Sequence, residues 1–231
     1  MPTTPANGIE LDYEVHGDAA GPPLLLIHGL GAQRTDWPKA AVEGLVDEGF
    51  RVITFDNRDQ GCSTWFDHTD EPDLTGLLTG SSVEVPYLLA DMAADAAGLL
   101  EALEVPRAHV LGVSMGGMIA QQLTIDHPGR VATLTSIMST PSTAVGQPTP
   151  EATAALLVPA AEERQEAVDQ SVATSRVIAS TGFPFDEAGL RARAEVHYDR
   201  GHHPVGTARQ LAAILASPDR RPGLAGVTVP T

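Results

Sequence analysis

The sequence predicts an α/β protein built on a doubly wound, mostly parallel sheet, and three observations carry the prediction. Between Ile9 and Met138, short apolar runs alternate with amphipathic stretches of helical length. Parallel strands joined by covering helices produce this alternation. Leu24-Leu25-Leu26-Ile27 is apolar without interruption, as in a strand buried on both faces of a parallel sheet. The turn Gly112-Val113-Ser114-Met115-Gly116-Gly117 stands between a strand-like run and a helix-like one. Glycines at such a junction let the two backbones approach where side chains would clash.

The elements follow in order. Ile9, Leu11, Tyr13 and Val15 alternate with Glu10, Asp12 and Glu14, which predicts a half-buried strand. Pro23 opens the buried run, which ends at His28-Gly29-Leu30-Gly31. Ala41, Val42, Leu45 and Val46 at helical spacing predict a helix over about 38–48, stopped by Gly49. Residues 51–55 form the next strand, closing on Asp56-Asn57-Arg58-Asp59. Over 87–104, Leu88, Met92, Ala96, Leu99, Leu100 and Leu103 share one helical face, and Asp91, Asp95 and Glu101 fall outside it. Pro106 ends that helix, and 109–113 leads into the glycine turn. A helix then runs from Met115 to about Asp126, and 131–138 reads as a further strand. After Ser139, Pro141, Pro148, Pro150 and Pro159 punctuate Ala- and Glu-rich helical pieces, with no strand-like run until Val227. The expected organisation is a core over 1–139, a helical insertion over 140–224 above the sheet's C-terminal edge, and the start of the next core strand at 225–231.

Composition narrows the function. The 14 Lys+Arg face 30 Asp+Glu, a formal charge of −16. A surface that negative repels phosphate backbones and anionic lipid heads, so neither nucleic acid nor membrane is an expected partner. Cys62 is the only cysteine, which excludes an intrachain disulfide. The first residues lack a basic segment followed by an apolar one, and the apolar runs are too short to span a bilayer. A soluble, cytoplasmic protein is expected.

The chemistry rests on Ser114. Gly112-Val113-Ser114-Met115-Gly116 fits the G-x-S-x-G nucleophile elbow, a tight turn that presents a serine hydroxyl above the sheet. His28-Gly29-Leu30-Gly31 follows the first buried strand, and Asp56-Asn57-Arg58-Asp59-Gln60-Gly61-Cys62-Ser63 follows the next. These three landmarks, in this order, resemble the α/β-hydrolase superfamily. Gln33-Arg34-Thr35-Asp36-Trp37-Pro38 and the Asp-Asn-Arg-Asp wording resemble its aclacinomycin methylesterase-like carboxylesterases. The resemblance implies an α/β-hydrolase fold whose insertion is a cap shaping the substrate pocket. It implies a small-molecule carboxylic ester as substrate, methyl esters among them, with Ser114 as the catalytic nucleophile; no cofactor is expected, because neither the elbow nor the His28–Gly31 loop fits a nucleotide-binding pattern. The backbone N–H groups of Leu30 and Met115 would form the oxyanion hole. A lactonase or cofactor-free perhydrolase would use the same groups, and a non-catalytic binding protein or pseudoenzyme would keep the scaffold alone.

The resemblance also implies a base and an acid on segments beyond the last strand-like residues. About 50–60 further residues are expected there from typical βα unit lengths. The chain is therefore expected to be C-terminally truncated, without an assignable triad histidine or acid, and inactive or weakly active. It is also expected to self-associate through an exposed apolar edge at 131–138. Other conspicuous residues have plainer roles. His28 shapes its turn, Asp56 and Arg58 fix their loop by hydrogen bonding, and Cys62 is a small packing residue. His202-His203 lacks further ligands at metal-binding spacing, so no metal is expected.

Overall fold

In the computed structural model, which describes residues 2–231, six strands form one sheet in the order β1-β2-β4-β3-β5-β6. The first two strands, β1 (Thr3–Ala6) and β2 (Ile9–His16), form a hairpin. It turns at Asn7 and Gly8, whose φ values are 50° and 79°. Two successive positive φ angles match the right-handed twist of the flanking strands, and Asn-Gly is the pair that adopts them most readily. The sequence analysis did not anticipate β1.

The next strand, β3 (Pro23–Ile27), lies between β4 (Arg51–Phe55) and β5 (Ala108–Val113), all parallel, and β6 (Val131–Ile137) continues the parallel set beside β5. Antiparallel pairing of β2 with β4 attaches the hairpin. Alternation along the strands divides the apolar residues between two layers. Leu25, Ile27, Ile53, Phe55 and Val110 join α3 (Leu89–Ala102) and α4 (Met115–Asp126) in the main core. Leu24, Leu26 and Val52 face the other way, onto Val42 of α1 (Lys39–Asp47) and Trp37. Each fully buried Leu, Ile or Phe contributes about 1.5–3 kcal/mol, so both faces of the parallel strands are held by helices. In α3, Asp95 corrects the expected polarity: it is 2% exposed. It sits three residues after Met92 and four before Leu99, on the buried face, and its charge is met there by Arg58.

Beyond β6 the chain is helical. The short α5 (Pro150–Leu156), α6 (Arg164–Ile178) and α7 (Glu187–Gly201) pack in succession. The following α8 (Pro204–Ala216) returns to the body, with Ala213 in the main core and α2 (Leu74–Leu78) against it. A last turn, α9 (Arg221–Leu224), packs on α4. Residues 227–230 lie at the outer side of β6, where the Leu134 N–H donates to the Pro230 carbonyl at 2.9 Å. Ile137 and Met138 at that strand's end are 44% and 63% exposed. No helix among the described residues is long and apolar enough to cross a membrane.

The loop after β4 joins these parts. Asp56 accepts from the Arg34 N–H at 2.6 Å and from Arg200 of α7 at 2.8 Å. Asn57 donates to the His28 carbonyl at 3.2 Å. Arg58 grips both carboxylate oxygens of Asp95 at 2.6 Å. Asp59 takes two hydrogen bonds from Arg209 of α8, at 2.8 and 2.9 Å, and one from the Tyr87 hydroxyl at 2.7 Å. Burial and the neighbouring Asp59 charge push the Tyr87 phenol far above its ordinary value, so it stays a donor. The expectation that Asp56 and Arg58 serve the loop's hydrogen bonding matches this arrangement.

Two substitutions test the frame. A Cβ on Gly116 would stand 2.0 Å from the Ile27 carbonyl oxygen, so Gly116→Ala is expected to cost at least about 2 kcal/mol in urea unfolding; an unchanged midpoint would mean the helix–strand contact is looser than described. Arg209→Met strands the Asp59 carboxylate and is expected to cost about 3–5 kcal/mol. Adding Asp59→Asn should restore part of that loss, and a double variant no better than the single one would contradict the pairing.

Candidate active site

Ser114 sits between the last residue of β5 and the first of α4 with φ 56° and ψ −122°. A positive φ strains any residue with a Cβ, and the surroundings must impose it. They do so by close packing. A Cβ on Gly112 would fall 2.1 Å from the Gly116 carbonyl oxygen, and the Ser114 N–H donates to the Ile137 carbonyl at 2.9 Å. The Ser114 carbonyl accepts from the N–H groups of Gly117 and Met118, which starts the helix. The serine is thus fixed at the N-terminal, positive end of α4.

The loop after β3 passes directly beside it. A Cβ built on Gly29 would lie 3.3 Å from the Ser114 Cβ and 3.7 Å from its Oγ. Leu30, next in the chain, packs its half-buried side chain on the main core. Met115, the first residue of α4, is wholly buried. The first N–H groups of a helix have no partner within it, so the Met115 amide is of the kind that can meet an anion. The structure therefore brings Ser114, Met115 and the Leu30 loop into one place.

Several side chains hold that loop. Gln33, fully buried, donates to the carbonyls of His197 and Gly201 at 3.0 and 3.1 Å and accepts from Arg200 at 2.7 Å. Arg34 pairs with Asp12 and Glu14. Asp36 accepts from the Gln33 N–H and from His197 Nδ1, each at 2.8 Å. Burial alone would push the Asp36 carboxyl up, but the hydrogen bond and charge of His197 outweigh it and hold Asp36 below its ordinary value. His28 rests on Trp37 with ring centroids 4.5 Å apart, and burial lowers its basicity. On the far side, α8 reaches the loop through Gln210, whose Oε1 accepts from the Gly31 N–H at 2.9 Å.

Of the remaining histidines, His16 meets Thr54 and His109 meets Thr133. His68 lies against Phe66, and His127 caps the end of α4. His202 reaches the Ala161 carbonyl at 2.8 Å and stacks on Tyr198. His203 lies flat on Trp65, 4.0 Å between centroids, with Nε2 2.9 Å from Asp67. Cys62 corrects an expectation: it is exposed, and its contribution is a backbone N–H donated to Asp56 at 3.0 Å. Its Sγ lies 3.9 Å from the Arg200 carbonyl oxygen.

The helical layer holds a cavity of about 460 Å³ lined by Glu162, Tyr198, His202, Pro204 and Val205. Among the insertion's apolar residues, Tyr198 faces it, while Leu156, Leu157, Val158 and Phe183 are exposed. The sequence analysis gives Gln33 only within the Gln33–Pro38 run and gives Arg200, Arg209 and Gln210 no role. The available signal was the Arg209-Gln210 pair inside the apolar stretch of α8, where polar residues at core positions imply buried partners.

Comparison with known proteins agrees with this geometry. The sequence profile described as alpha/beta hydrolase fold matches residues 22–175. Rhodomycin D methylesterase DnrP of Streptomyces peucetius is 32% identical over 198 residues, which cover 77% of this chain and 61% of that protein. Putative carbamate hydrolase RutD of Variovorax paradoxus (strain S110) is 36% identical over 124 residues, covering 54% of this chain and 40% of its own. The chain thus spans about half the length of these curated relatives. A solved hydrolase from Pseudomonas aeruginosa PA01 has a TM-score of 0.67 at 26% identity, covering 100% of this chain and 77% of that one. The enol-lactonase from Burkholderia xenovorans LB400 shares the fold, with a TM-score of 0.69 at 24% identity over 99% of this chain and 78% of that one. Profile, relatives and the strand–serine–helix turn agree, and the chain belongs to the α/β-hydrolase family.

Proposed function

We propose that this family member is a serine hydrolase of carboxylic esters, methyl esters among them, working through an acyl-enzyme on Ser114. The observation that carries the reading is the strained backbone of Ser114 at the N-terminus of α4 with Gly29 against it. In this reading the hydroxyl stands where the backbone amides of Leu30 and Met115 converge. The methylesterase and carbamate hydrolase names of its relatives support acyl transfer as the reaction class.

In this mechanism the Ser114 Oγ attacks the ester carbonyl carbon as its proton passes to a base, and the carbonyl oxygen becomes an anion. The N–H groups of Leu30 and Met115 stabilise that charge, each worth about 3 kcal/mol of barrier. Collapse expels the alcohol, which takes up a proton, and water then releases the acid from the serine. None of the hydrogen bonds made by the histidines among the described residues reaches Ser114. The 231-residue chain by itself is accordingly proposed to react slowly, with the oxyanion site supplying what rate it has.

Intact-mass labelling with a fluorophosphonate tests the reading. A single slow adduct is expected on the folded chain and none on Ser114→Ala. An adduct that persists in Ser114→Ala, or a folded chain that never labels, would overturn it.

A further inference from the structure

The geometry points to Gln210 as a positioning residue that sets the direction of the Leu30 amide from the helical layer. This rests on the reading of Ser114 and Leu30 above and adds a residue to it. Gln210 is wholly buried on α8. Its Oε1 accepts from the Gly31 N–H at 2.9 Å, and its Nε2 donates to the Arg58 carbonyl at 2.8 Å. Those two partners fix which end of the carboxamide is which, because an amide N–H requires an acceptor and a carbonyl requires a donor. One side chain thereby ties the loop after β3 to the loop after β4.

The consequence for Leu30 follows from peptide planarity. A trans peptide points its N–H opposite to its C=O. The Gly29 carbonyl, in the same plane as the Leu30 N–H, accepts from the Ala32 N–H at 3.2 Å. The next plane, which carries the Gly31 N–H, is the one Gln210 holds. Before both, the His28 carbonyl is held by Asn57. Three successive peptide planes are therefore engaged, and the Leu30 N–H is the donor directed by them. Gly31 has φ 68°, a conformation from which glycine departs easily, so this plane would swing without an anchor. Gln210 also occupies the Gly31 N–H, which removes a competing donor from the anion's reach. Thr207, one turn earlier on α8, closes over Gly31: a Cβ there would stand 3.0 Å from its Oγ1.

The test compares the parent with Gln210→Met, which keeps the length of the side chain and removes both polar atoms. Ala212→Gly serves as a second variant, loosening α8 without touching Gly31. Amide hydrogen exchange followed by NMR reads Leu30 and Gly31 directly. Gln210→Met is expected to speed Gly31 exchange at least tenfold and shift the Leu30 amide resonance, and Ala212→Gly, matched for melting temperature, should leave both in place. Fluorophosphonate labelling of Ser114 should fall about tenfold in Gln210→Met, less than the loss of a whole oxyanion donor. Unchanged Gly31 exchange in Gln210→Met, or the same labelling loss in Ala212→Gly, would overturn the assignment. Should the parent chain not label at all, the serine-hydrolase reading fails, and the amide measurements still decide whether Gln210 holds the loop.

Discussion

The buried carboxylate of Asp56 is the point on which the rest of the structure depends. It is fully buried, and removing a carboxylate from water costs several kcal/mol unless its oxygens are met. Here they are met by two backbone N–H groups and by Arg200. Those three partners come from the loop after β3, the turn after β4 and the end of α7. Satisfying one charge therefore draws the sheet, the loop beside Ser114 and the helical layer to one location. Asp59 repeats the arrangement with Arg209 and Tyr87 on the neighbouring side. Ionic groups so enclosed add little net stability compared with apolar ones, but breaking one is costly. Such an interior favours one arrangement sharply over its neighbours.

Strain at the serine is carried by a different force. The backbone of Ser114 is held by contacts between peptide groups of β3, β5 and α4 that leave no room for a methyl group. Close packing forces the turn at the positive end of α4, so the Ser114 hydroxyl stands where its surroundings are least able to relax. Polar bridging governs the loop facing it, and apolar packing governs the turn beneath it. The site lies at the meeting of the two.

Much of this was legible in the sequence. The uninterrupted Leu24–Ile27 run, the glycines around Ser114 and the Asp-Asn-Arg-Asp wording gave strand, elbow and loop in their correct order. What escaped is instructive. The β1 hairpin has only four short-side-chain residues before its turn, so periodicity had nothing to measure, although Asn7-Gly8 announced the turn itself. Helical spacing leaves Asp95 outside the apolar face of α3, whereas its partner Arg58 lies 37 positions away and no local pattern reports it. Arg200, Arg209 and Gln210 escaped for the same reason at greater distance. Periodicity reads neighbours along one element, and buried polar groups are defined by partners on another.

The separation of those partners along the chain has a bearing on how the molecule is made. Asp56 precedes Arg200 by 144 positions, and Asp59 precedes Arg209 by 150. At synthesis rates of about 5–20 residues per second, the two arginines emerge roughly 7–30 s after the carboxylates they neutralise. During that interval the sheet can assemble, but its central loop keeps its water and cannot close. The site thus closes only after α7 and α8 have emerged, and their arrival marks the moment at which a hydrated turn becomes an interior.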